Sequence, residues 1–174
     1  MEPSAVTWAV LGLLEQRPRS GYDVKRAIDR TIRLFWAASY GQIYPELRRL
    51  EEAGWIEGND DARGARSRRV YSITPVGRAK LRDWLRGAEW RMELRDESLL
   101  RLFFADTLPA GEALALLQIR SEGFRQMRAL LVSLDDGSGP DPPFIDLVYR
   151  WGLDYTQWGI EWCEQQEQRL RRAA

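Results

Sequence analysis

Histidine does not occur in the 174 residues of this chain. The commonest general base and the commonest metal ligand are therefore missing, and neither a Ser-His-Asp nor a Cys-His arrangement can be built. A single cysteine, Cys163, excludes an internal disulfide framework and suits a reducing compartment. Without a cationic neighbour in sequence it reads as a small buried apolar residue rather than a redox sensor. The longest apolar run, near AVTWAVLGLL, is too short to span a bilayer, and with Glu2 ahead of it lacks the basic flank of a signal peptide. Phosphate-cradling and dinucleotide-binding glycine motifs are also missing. The carboxylate pairs Glu51-Glu52, Asp60-Asp61 and Asp135-Asp136 are sequence neighbours, which do not face each other on a helix. They read as solvated charge. A soluble, cytoplasmic protein is expected, with no catalytic residues, no metal, no cofactor and no membrane partner.

What is present is ordinary globular composition, 44% apolar and 30% charged, in a chain long enough for one domain or two small ones. The formal net charge is zero but polarised. Residues 1–86 hold 16 Lys/Arg against 11 Asp/Glu, a net +5, and residues 87–174 hold 10 against 15, a net −5. A basic front and an acidic back predict that the front half meets a polyanion.

The front half carries helix signals in quick succession. Val6, Val10, Leu13 and Leu14 make a helical stripe, with Trp8 and Leu11 off it. RPRS reads as a connector. Ser20 with Asp23 forms a capping box for a second helix with Val24, Ile28 and Ile32 inward. Ser39 with Gln42 opens a third, which Gly54 is placed to end. The periodicity then shortens: WIEG and RVYSI read as two strands around the polar tip NDDARGARSR. Thr74-Pro75 starts a helix over about residues 75–88 that is expected to bury Val76, Leu81, Trp84 and Leu85. Three helices and a hairpin in about 75 residues is the winged helix-turn-helix order.

On a helical wheel for residues 40–53, Ile43, Leu47 and Leu50 share the core side. Gly41, Pro45 and Arg48 lie opposite, flanked by Gln42, Tyr44 and Arg49. Small or flat residues beside long donors suit a helix whose leading end enters the DNA major groove. Arg48 fits a guanine O6/N7 pair and Gln42 an adenine, while Tyr44 suits a phosphate or a thymine methyl. Gly41 and Pro45 weaken the helix, as functional sites often do. In the hairpin, Arg63, Arg66, Arg68 and Arg69 would straddle a phosphate backbone, diluted by Asp60-Asp61.

The runs AVLGLLEQRPRSGYDVKRAI, GQIYPELRRLEEAGWIE and RRVYSITPVGRAKL together resemble the PadR-like transcriptional regulators. RDESLLRLFFADTL and the helices after it are more loosely similar to the tail of the longer PadR subgroup. The resemblance implies a homodimeric repressor on a palindromic operator, released by a small molecule. It implies DNA contacts at Gly21, Tyr22 and Lys25, at Gln42, Tyr44, Pro45 and Arg48, and on the wing at Arg68, Arg69 and Tyr71.

Past residue 88 the chain is acidic and helical. AGEALALLQIRSEGFRQMRALLVSL reads as one helix that Gly123 weakens, and DDGSGPDPP as a connector. In the last helix, about 144–172, Phe144, Val148, Trp151, Tyr155, Trp158 and Trp162 recur at alternating steps of four and three, the pattern of a helix-on-helix seam. The stripe reads first as a dimer interface. The alternative is a wall for a planar aromatic effector, with Trp8, Trp36, Trp90, Trp151, Tyr155 and Trp158 as candidates. The expected fold is mainly α (α+β winged helix): an N-terminal winged helix-turn-helix domain with a two-stranded wing, residues 1–88, and an all-helical dimerisation domain, residues 89–174. The expected function is sequence-specific DNA binding as a homodimer. The competing reading is a helical protein–protein interaction module whose winged helix docks a partner protein.

Overall fold

The computed structural model describes residues 2–32, 39–61, 68–87, 95–134 and 142–173. Trp36, Arg63, Arg66, Trp90 and the connector at 135–141 lie outside the described residues. The chain forms two compact units, residues 1–91 and 92–174.

The first unit runs α1 (Ala5–Gln16), β1 (Arg19–Ser20), α2 (Gly21–Arg30), α3 (Tyr40–Glu52), β2 (Ile56–Asp61), β3 (Arg68–Ile73) and α4 (Pro75–Arg86). The α1 stripe Val6, Val10, Leu13 and Leu14 is buried, and so is Leu11, so this helix is covered on two sides. Val24 and Ile28 of α2, Ile43, Leu47 and Leu50 of α3, and Ile56, Tyr71 and Ile73 of the sheet complete one core. The periodicity marks these positions because the apolar side is the one that loses water. Capping also follows the sequence. The Asp23 N–H donates to Ser20 Oγ at 3.2 Å, and the Ser20 N–H to Asp23 Oδ2 at 3.3 Å. Thr74 accepts from the Gly77 N–H at 3.1 Å. Gly54, at φ 69°, takes the left-handed turn that releases the chain from α3.

Two expectations need correction. The RPRS connector contributes a strand: Arg19 and Ser20 pair antiparallel with Tyr71 and Val70, giving a three-stranded sheet in the order β1-β3-β2. Two residues carry too little pattern to read as a strand; the pairing comes from β3 passing beside the start of α2. Helix α4 buries Leu81 and Gly77, whereas Val76, Trp84 and Leu85 are exposed. The reason is a close approach at Gly77, where a Cβ would stand 2.1 Å from the Trp55 carbonyl oxygen. That contact turns the Gly77–Leu81 line inward, and Trp84, though exposed, lies flat on Trp8 at 5.1 Å.

The second unit runs α5 (Glu97–Phe103), a short turn at Ala105–Thr107, α6 (Ala110–Leu134) and α7 (Pro143–Ala173). Helices α6 and α7 pair antiparallel: Gln118 bonds Glu167, Arg125 bonds Glu164 at 2.6 Å, and Arg128 bonds the Leu153 carbonyl. Gly123 sits inside a continuous α6. The side of α7 that α6 covers consists of Gly152, Thr156, Gly159 and Cys163, a small-residue line. At Gly159 a Cβ would stand 2.6 Å from the Phe124 ring. The aromatic line is a different side of α7, with Phe144 at 80% and Trp158 at 55% exposure. The seam within the protomer is therefore made mainly of small residues, joined by Tyr155, whose ring packs edge-on against Phe124 at 5.6 Å, while Phe144, Trp151 and Trp158 are exposed. Burial pushes the Cys163 thiol above its ordinary range, so it is a poor nucleophile. Among the described residues, no helix is long and apolar enough to cross a membrane.

Candidate nucleic-acid interface

Helix α3 starts at Tyr40, with Ser39 as its cap. Pro45 therefore lies inside it and deletes the bond an N–H would make to the Gly41 carbonyl four residues back. Gly41, Gln42, Tyr44, Pro45 and Arg48 are exposed on one side, while Ile43, Glu46, Leu47 and Leu50 are buried on the other. Among the described residues Arg48 has no ion-pair partner, so its guanidinium is available without breaking a contact. Gln42 is not equally free. Its Oε1 accepts the Ser39 N–H at 2.9 Å, and a bidentate grip on adenine would have to break that cap.

Arg49 leaves this side. It bonds Glu46 Oε1 at 2.7 Å and Oε2 at 3.0 Å, Thr7 Oγ1 at 3.2 Å, and the Glu2 carbonyl at 2.8 Å. Glu46 is itself buried and accepts from the Thr7 hydroxyl. The group fixes the roll of α3 on α1, so Arg49 is held as a tie rather than as a reader.

The residues at the start of α2 meet α3 from below. Gly21 is buried, and a Cβ there would stand 2.7 Å from Tyr44 Cε1. Its part is to let the Tyr44 ring lie down across the helix start. Tyr22, beside it, is exposed. Lys25 is mostly covered: it pairs with Asp29 and lies under the Tyr40 ring at 5.5 Å. A phosphate contact by Lys25 would have to break that pair. Tyr40 in turn stacks on Tyr44 at 6.2 Å. Tyr40 did not figure in the sequence reading, although its place four residues before Tyr44 is the spacing that stacks two rings on one helix side.

On the wing, Arg68 is exposed and lies 3.5 Å from Asp23. Arg69 is bound to Glu51 at 2.6 Å and to Asp60 at 3.3 Å. Tyr71 is corrected outright. It is 7% exposed, a core residue of the wing, and burial together with the Glu51 charge pushes its hydroxyl above the ordinary phenol range. On the half-buried strand β3, position 71 belongs to the inward series with Ile73. At the α2 cap, the Ser20 hydroxyl holds the Asp23 carboxyl below its ordinary range.

The effector candidates separate. Trp8, in the first unit, is stacked between Trp84 and Trp55. Trp151, Tyr155 and Trp158 form a ladder along α7: Trp151 lies parallel to Tyr155 at 5.3 Å, and Tyr155 is 6.2 Å from Trp158. The ladder continues to Trp162 at 6.4 Å. Trp36, Trp90 and Arg66 fall outside the described residues.

Residues 10–83 match the transcriptional regulator PadR-like family, and residues 94–171 match the virulence activator alpha C-terminal family. The chain is 34% identical to the negative transcriptional regulator PadR of Bacillus subtilis over 168 residues, covering 90% of this chain and 92% of that protein. It superposes on Bacillus subtilis PadR in complex with operator DNA at a TM-score of 0.84 and 27% identity, covering 96% and 99% of the two chains. On Bacillus subtilis PadR in complex with p-coumaric acid the TM-score is 0.77 at 25% identity, covering 98% of each.

Proposed function

The chain belongs to the PadR-like family of transcriptional regulators, and on that premise we infer that it is a repressor whose α3 reads the major groove of a palindromic operator. The observation that carries this reading is the bare side of α3. There Arg48 and Tyr44 stand exposed around Gly41 and Pro45, whose small or flat side chains leave the helix thin. Arg48 would supply the bidentate contact to guanine; Tyr44, with Tyr40 stacked behind it, suits a thymine methyl or a phosphate. Exposed Tyr22 at the start of α2 suits phosphate, as does Arg68 on the wing. The negative regulator of Bacillus subtilis, similar along nearly the whole chain, supports repression.

Palindromic recognition needs two copies. The outward aromatic stripe of α7 supplies an apolar surface for a homodimer, since a line of exposed large rings is costly in water. The parallel Trp151–Tyr155 pair also makes a wall on which a planar aromatic effector stacks, in keeping with the p-coumaric acid complex of the Bacillus subtilis protein. Such a compound releases the operator only if it binds the DNA-free arrangement more tightly.

Selection of bound fragments from random duplexes, followed by mobility shift, tests the reading. The expected product is an inverted repeat with half-sites separated by about one helical turn or a multiple of it. Recovery of no preferred sequence would contradict it.

A further inference from the structure

Strand β2 is an edge strand, so one series of its backbone N–H groups points away from the sheet. At Gly58 that N–H is taken by Glu51 Oε1 of α3 at 2.9 Å. The same oxygen also accepts from Arg69 at 2.6 Å. Arg69 belongs to the middle strand β3, so its side chain crosses β2 to arrive there. It crosses at Gly58, where a Cβ would stand 2.5 Å from Arg69 Nε and 2.6 Å from Glu51 Oε1. Its other arm reaches Asp60, the residue directly opposite it in the ladder.

We propose that Glu51, Gly58 and Arg69 form a latch that sets the pitch of the wing against α3, and that Arg69 is a positioning residue for operator binding rather than a phosphate contact. The proposal rests on the DNA-binding reading above. One arginine between two carboxylates has a net charge of −1 and does not attract a phosphate. Releasing Arg69 to a phosphate would leave Glu51 and Asp60 facing a polyanion unpaired. The planar fork is what the geometry uses, with one side on Glu51 and the other on Asp60. The crossing needs a residue without a side chain at position 58.

The full-length protein and a duplex enriched by the wild type supply the test. Glu51→Gln, Arg69→Gln, the double variant and Arg69→Lys are titrated by fluorescence anisotropy over a salt series, with thermal melting alongside. A latch predicts that each single variant, Arg69→Lys included, loses about ten-fold in affinity, and the double variant no more than the worse single. The slope of log K against log salt stays at the wild-type value. Glu51→Gln is the sharpest arm, because deleting a negative charge near DNA would tighten binding if charge alone mattered. The proposal is overturned if Glu51→Gln binds as well as the wild type or better. It is equally overturned if Arg69→Gln flattens the slope by about 0.9 while Arg69→Lys binds normally, the signature of one phosphate contact. Should the glutamine variants melt below the assay temperature, Arg69→Lys and its slope decide between the same two outcomes. Failure of the wild type to enrich any duplex would overturn the DNA-binding reading itself, and the latch with it.

Discussion

At the scale of single residues, the site is organised by what each side chain already holds. Arg48 holds nothing among the described residues, whereas Arg49 one position on is tied to Glu46, Thr7 and Glu2. The helical wheel separates core from surface, but it does not say which surface arginine finds a carboxylate. That depends on Glu46 turning inward to the Thr7 hydroxyl. Lys25 and Arg69 show the same limit: a sequence gives their charge, and the fold supplies Asp29, Glu51 and Asp60. Gly21 is legible as a small residue at a helix start, but its reason is the Tyr44 ring above it. Gly21→Ala is therefore expected to displace that ring, cost about 1–3 kcal/mol of stability, and weaken operator binding. Gly12→Ala, where an added Cβ meets nothing within 4 Å, is expected to raise stability by about 0.5–1 kcal/mol. Paired melting and anisotropy measurements on the two variants check both.

At the scale of elements, the helix-turn-helix was legible because its signals are local: caps at Ser20 and Thr74, a stop at Gly54, and apolar stripes on α1, α2 and α3. Strand β1 was not, because two residues take their conformation from β3 rather than from themselves. The α7 stripe was legible as a period, but the period does not say which of its rings α6 covers. Its rings repeat at helix-packing spacing; within the protomer α6 packs on the glycine, threonine and cysteine line and on Tyr155, and leaves Phe144, Trp151 and Trp158 exposed. The α2 cap makes a pH prediction. The Ser20 hydroxyl holds Asp23 below the ordinary carboxylate range, so the folded state favours the ionised form. The stabilisation is complete above the unfolded value of about 3.9 and is lost as the pH falls through the depressed folded value. Asp23→Asn is expected to lower the melting temperature at neutral pH and to shrink the loss of stability on acidification. Melting curves from about pH 7 to about pH 3 check it. Arg68, 3.5 Å from the same carboxylate, links that cap to the wing.

At the scale of the whole molecule, charge is polarised between the two halves of the sequence and α7 carries a line of exposed rings, proposed above as the surface for self-association. Trp158→Asp places a charge in that line and is expected to give a monomer by sedimentation. Its operator affinity is expected to fall by at least about a hundred-fold, because each half-site is then bound without the other. A variant that sediments as a dimer would move the interface elsewhere. The account as a whole stands on Arg48 of each copy entering a major groove, which a guanine methylation footprint on the selected operator tests most directly. The account predicts that the wild type shields guanine N7 in two half-sites about one helical turn apart, or a multiple of that distance, on one face of the duplex. It also predicts that Arg48→Ala loses both shielded guanines while backbone protection persists. Shielding that is absent in the wild type, or unchanged in Arg48→Ala, would contradict it.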